Sequence, residues 1–157
     1  MIKDTRKTVL EFLLYAVVIL TISACNTGNV NQPPTNQAEI PTGTGVVDIS
    51  NDQLELLLDK KVTLIDIRRP DEWAQTGVVP GSKKLTFFSS TGAINPQLVP
   101  ELKKIAPAEK PVILICRTGN RTRIAAQILT SQLGYHTVYN VKHGITRWLA
   151  EDRPTVK

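Results

Sequence analysis

Cys116 and the polar residues that follow it carry the densest chemistry in this sequence. The run Val112-Ile113-Leu114-Ile115 is short, apolar and mostly β-branched, and it ends abruptly in that cysteine. Arg117-Thr118-Gly119-Asn120-Arg121 come next, and TRIAAQILTSQL behind them has helical spacing. A buried strand therefore delivers a thiol to a tight turn, with a helix directly behind it. Backbone N–H groups of such a turn can point at one place, and the positive end of the helix dipole and two guanidiniums add to them. That combination stabilises a thiolate and receives an anion. The competing account of Cys116 is a buried structural cysteine that closes a core strand.

The other cysteine, Cys25, has different surroundings. Lys3, Arg6 and Lys7 form a basic start, Phe12–Leu20 with Ile22 form an apolar stretch, and Ser23-Ala24 precede the cysteine. This is the pattern of an export signal. The apolar run is about half of the ~20 residues that a membrane-spanning helix needs. Ile22-Ser23-Ala24-Cys25 resembles a bacterial lipobox, which implies a lipoprotein signal peptide over 1–24 and a lipidated Cys25 as mature N-terminus. Several acyl chains, each gaining about 0.8 kcal/mol per buried CH₂, make such an anchor stable. An ordinary secretory signal cleaved nearby is the alternative. The expected location is the bacterial cell envelope with the domain facing the periplasm. By resemblance to Gram-negative lipoproteins, Asn26 in place of Asp leans toward the outer membrane.

Residues 26–45 are rich in Asn, Gln, Pro, Thr and Gly, so 25–45 reads as a flexible tether and 46–157 as the domain. With Cys25 given to lipid, Cys116 is the only thiol of the mature chain. Exported proteins pair their cysteines or lack them, so an unpaired one on a loop points to retained chemistry.

The elements that must position this thiol alternate along the chain. Val46–Ile49 reads as a strand, and Ser50 with Gln53 forms a capping box before a helix bearing Leu54, Leu57 and Leu58. Val62–Ile67 is a second buried strand, closed by Asp66-Ile67-Arg68, and a short helix starts at Pro70. Turn residues 77–82 lead to a brief strand near 84–86. Asn95 as N-cap and Pro96 at the first helical position begin a helix to about Ile105. After the Val112 strand come a helix over about 124–133 ended by Gly134, a strand at 136–139, and a helix over 145–150. Such alternation predicts an α/β fold, a central, mostly parallel five-stranded sheet with helices on both faces. Ligands of such sheets sit outside the carboxyl ends of the strands, where Asp66–Arg68 and Cys116 both fall.

With these landmarks placed, the chain resembles the single-domain rhodaneses (thiosulfate sulfurtransferases) over about 46–154. Asp66-x-Arg68-x-x-x-Glu72-Trp73 is similar to one family segment. Gly77-Val78-Val79-Pro80-Gly81-Ser82 is similar to a second, with Val78 in place of the usual His. Cys116-Arg117-Thr118-Gly119-Asn120-Arg121 matches the C-R-x-G-x-R loop. Asn140-Val141-Lys142-His143-Gly144-Ile145-x-x-Trp148 resembles a fourth segment, with His143 where Gly is commoner.

The resemblance implies a three-layer α/β/α rhodanese-like fold and sulfur transfer from thiosulfate to cyanide or a thiol through a Cys116 persulfide. Arg117, Thr118, Gly119, Asn120 and Arg121 would bind the small anionic donor, with both arginines on the sulfonate. Asp66, Arg68 and Glu72 would support the site, the first two as a bracing ion pair and Glu72 as partner of a loop arginine. No metal or organic cofactor is implied. A sulfur-carrier or anion-binding module with little turnover is the alternative. Related phosphatases and arsenate reductases use C-x5-R, whereas here Thr122 stands sixth after Cys116 and arginines fall at 121 and 123. Trp73 and Trp148 read as packing residues, and His136 as surface. The formal charge of +5 is spread among acids, so no nucleic-acid footprint is indicated.

Overall fold

The computed structural model describes residues 38–157. The expected leader at 1–24, Cys25, and the expected tether as far as residue 37 lie outside the described residues. Among the described residues, no helix is long and apolar enough to cross a membrane.

Strands β1 (Gly45–Ile49), β2 (Thr63–Asp66), β3 (Lys83–Lys84), β4 (Val112–Ile115) and β5 (Thr137–Val141) alternate with helices. The helices are α1 (Asn51–Asp59), α2 (Pro70–Thr76), α3 (Leu98–Ile105), α4 (Asn120–Gln132) and α5 (Gly144–Ala150). All five strands are parallel, in the spatial order β1-β5-β4-β2-β3. The central strand β4 is buried on both faces, which is why it reads as an unbroken apolar run. Its side chains alternate. Val112, Leu114 and Cys116 join Leu98, Leu102, Ala125 and Leu129 of α3 and α4 on one face. Ile113 and Ile115 join Leu54, Leu57, Ile145 and Trp148 of α1 and α5 on the other. Each such apolar side chain removed from water contributes about 1.5–3 kcal/mol.

The local chemistry matches most of the expected elements. The Ser50 hydroxyl accepts from the Gln53 amide, and the Gln53 side chain accepts from the Ser50 amide. Pro70 opens α2. Two helix starts differ. Helix α3 begins at Leu98 rather than Pro96: the Asn95 side-chain oxygen accepts from the Gln97 amide as a cap would, but its carbonyl accepts from Leu98, so Pro96 and Gln97 form a turn ahead of the helix. Helix α4 begins at Asn120, four residues early, because Gly119 in a left-handed conformation turns the chain at once. Residues 38–44 of the expected tether lie along the domain, where Gln53 donates to the Glu39 carbonyl and Thr137 to that of Gly43.

Candidate active site

The register Asp66↔Ile115 sets the ends of β2 and β4 level, so Arg68 and Cys116 leave the same edge of the sheet. Cys116 is 0% exposed and packs within the α3/α4 core cluster. That corrects the expectation of a thiol displayed on the loop: strand alternation carries its side chain inward. One loop amide, that of Gly119, donates to Sγ at 3.2 Å, and the Thr122 hydroxyl lies 3.5 Å from it. Of the several converging donors expected, this is the one amide that reaches Sγ among the described residues.

The loop is held from behind by the turn into α5. The Ile145 and Thr146 amides donate to the Cys116 and Arg117 carbonyls at 2.8 and 3.1 Å, and the Thr146 hydroxyl adds a bond to Arg117. The two backbones touch so closely that side chains have no room. A Cβ on Gly119 would sit 2.1 Å from the Lys142 oxygen, and one on Gly144 would sit 2.4 Å from the Cys116 oxygen. Both glycines also have positive φ, +89° and +57°, which other residues rarely adopt. With its carbonyls drawn back, the segment leaves the amides of Arg117, Thr118, Asn120, Arg121 and Thr122 without an acceptor among the described residues. Unpaired amides at the start of a helix of this length receive anions.

Arg121 does not stand free. Its two terminal nitrogens donate to the two oxygens of Glu72 at 2.8 and 2.6 Å, and Glu72 also accepts from the Arg69 amide. Burial pushes the Glu72 carboxyl up, but the Arg121 and Arg69 hydrogen bonds and both positive charges bring it down to about 2. Glu72 raises the Arg121 guanidinium above its ordinary value against the effect of burial, and the nearby Cys116 sulfur adds to the rise. A fixed positive charge thus stands beside the thiol. Arg117 is exposed, and its side chain has no hydrogen-bond or ion-pair partner among the described residues.

Asp66 and Arg68 do not touch the thiol. They form a buried pair at 2.7 Å, and Arg68 continues to the Thr76 hydroxyl and the Gly77 carbonyl. The pair pins α2 to the end of β2, and α2 carries Glu72, which holds Arg121. Val78 forms an antiparallel bridge with Val156, so the apolar residue where the family has His serves packing. His143 is exposed and precedes α5. Trp148 is buried, with its indole N–H on the Pro154 carbonyl; Trp73 is half-buried under Lys84; His136 is exposed.

A cavity of about 890 Å³ opens over the loop, lined by Arg69, Glu72, Arg117, Thr118, Arg121 and Ile145, among others. Thr118 and Asn120 are exposed at the loop, while Gly119 is buried in its backbone. Sequence reasoning missed Thr122, Gly144 and Thr146. The clue available for Thr122 was its position on the first turn behind the cysteine, and for Gly144 its place in a turn between strand and helix. Among the described residues, no group of His, Cys, Asp and Glu could hold a metal.

The family described as "Rhodanese-like domain" matches residues 50–151. A sulfurtransferase of Allochromatium vinosum is 34% identical over 95 residues, covering 60% of this chain and 78% of that protein. A putative mitochondrial thiosulfate sulfurtransferase of Schizosaccharomyces pombe is 32% identical, covering 57% and 65%. The solution structure of the polysulfide-sulfur transferase homodimer of Wolinella succinogenes superposes with a TM-score of 0.56. It is 31% identical, over 71% of this chain and 78% of that one.

Proposed function

The chain belongs to the rhodanese-like sulfurtransferase family, and on that premise we propose that it transfers the sulfane sulfur of thiosulfate to cyanide or a thiol. The observation that carries this reading is the Gly119 amide donating to Cys116 Sγ from a loop whose Cys116 and Arg117 carbonyls are tied away and whose other amides have no acceptor among the described residues. Cys116 as thiolate attacks the outer sulfur of thiosulfate. The S–S bond breaks, sulfite leaves with the electron pair, and a persulfide forms on Cys116. The amides of Arg117, Thr118, Asn120 and Arg121 receive the charge of the terminal sulfur. Arg117, exposed and without a side-chain partner among the described residues, is the grip on the sulfonate, while Arg121, held by Glu72, supplies a fixed charge. Attack of cyanide or a thiolate on the terminal sulfur returns the thiolate.

Cys116→Ser should abolish sulfite release from thiosulfate. Mass spectrometry after thiosulfate treatment should find one added sulfur atom on Cys116 of the unaltered protein and none on the variant. Turnover by the serine variant would overturn the assignment. The full burial of Cys116 favours a second reading, a sulfur carrier that loads and discharges slowly. Steady-state cyanide turnover separates the two.

The sequence of residues 1–25 supports an exported lipoprotein anchored through Cys25 in the bacterial envelope, on the outer membrane in a Gram-negative cell. Labelled palmitate should enter the protein, and Cys25→Ser should remain unlabelled.

A further inference from the structure

Among the described residues, Thr122 is the buried polar side chain hydrogen-bonded to the thiol, and the reaction above leaves it without a task. It sits on the first turn of α4 with its Oγ1 3.5 Å from Cys116 Sγ, and it donates to the Gly119 carbonyl at 2.8 Å. A threonine hydroxyl has one proton and two lone pairs. While Cys116 is a thiol, its S–H can point at Oγ1 and the hydroxyl proton can stay on Gly119. Once the sulfur is ionised it has nothing to donate, and the hydroxyl has a charged acceptor within reach.

We propose that Thr122 is a positioning residue whose O–H rotates from the Gly119 carbonyl to Cys116 Sγ whenever that sulfur carries the negative charge. The inference rests on the sulfur-transfer reading and deepens it. The rotation orphans nothing, because the Gly119 carbonyl keeps a second donor, the Arg123 amide at 3.1 Å. Gly119 then serves both positions: its N–H holds the sulfur, and its C=O parks the hydroxyl.

The device acts twice in one cycle. In loading, it steadies the thiolate that attacks the donor. In discharge, an acceptor thiolate attacks the outer sulfur of the persulfide, the Sγ–S bond breaks, and its electron pair stays on Sγ. The charge brought in by the acceptor thus ends beside Oγ1. Arg117, out on the rim, can act on donor binding alone.

The test compares Thr122→Val, which keeps the shape and removes the hydroxyl, with Thr122→Ser, which keeps the hydroxyl. Iodoacetamide alkylation of Cys116 at fixed pH, single-turnover sulfite release, and discharge of the loaded persulfide to cyanide are measured. The valine variant should be slower in all three by about tenfold or more, the worth of a hydrogen bond to a charged group. Its KM for thiosulfate should be unchanged, and the serine variant should recover most of each rate. Alkylation of the valine variant at the parent rate, or equal losses in valine and serine variants, would overturn the proposal. If the parent protein takes no sulfur from thiosulfate, the transfer reading fails, while the alkylation ratio still decides the role of Thr122. Should the valine variant not fold, Thr122→Ala gives the same comparison.

Discussion

Asp66–Arg68 and Glu72–Arg121 are the same chemical pair in two surroundings. The first is closed on all sides, with side chains 0 and 1% exposed, and its guanidinium also holds Thr76 and Gly77. The second lies at a cavity wall, 13 and 26% exposed, and joins elements 49 residues apart. Geometry alone does not separate them, since both are bidentate at under 3 Å. Surroundings do. A charge with no access to water must keep every partner it has, so the inner pair governs whether α2 stays in place. A partly exposed charge at a cavity wall can lose its partner and be resolvated, so the outer pair governs where a positive charge stands relative to the sulfur.

Removing one member of each pair breaks the comparison open. Arg68→Ala leaves the Asp66 carboxyl in the core with only the residue-68 amide as partner and should cost about 3–5 kcal/mol in urea unfolding. A loss under about 1 kcal/mol would make the two pairs equivalent. Gly144→Ala tests the other support of the loop. Its Cβ meets the Cys116 and Arg117 carbonyls at 2.4 and 2.5 Å, so about 1–3 kcal/mol of stability should go. Turnover should fall more than stability predicts, because the loop itself is displaced.

Glu72→Gln should cost only about 1 kcal/mol and raise KM severalfold, since Arg121 loses its anchor but not its charge. This difference depends on pH in a stated direction. The carboxyl stands at about 2 in the fold against an ordinary 4.5, so its pairing stabilises fully above pH about 4.5. The gap between parent and variant should close as pH falls from there toward about 2. A gap that stays constant over that range would dissociate Glu72 from the effect. Smallest of all, Arg117→Ala should leave the melting temperature unchanged and raise KM for thiosulfate, as expected of a side chain with no partner to lose.

The parts of this arrangement that sequence revealed are local ones. Val112-Ile113-Leu114-Ile115 announces a central strand, Ser50 and Gln53 a helix start, and Pro70 another. The start of α4 was hidden because its first turn, Asn120-Arg121-Thr122-Arg123, is wholly polar and shows no apolar period. The contacts of Gly144, Ile145 and Thr146 with residues 116–117 were hidden because they join distant segments through backbone atoms, which leave no mark in side-chain pattern. The burial of Cys116 was readable after all: the period of two that turns Val112 and Leu114 to one face continues for one more residue past the strand.

The bonds from Ile145 and Thr146 to the carbonyls behind the cysteine come almost wholly from main chain to main chain. A shape fastened in this way is indifferent to what the exposed positions 117, 118 and 120 carry. Those three side chains can therefore be exchanged to change which anion or thiol is admitted, while the seat beneath them keeps its form.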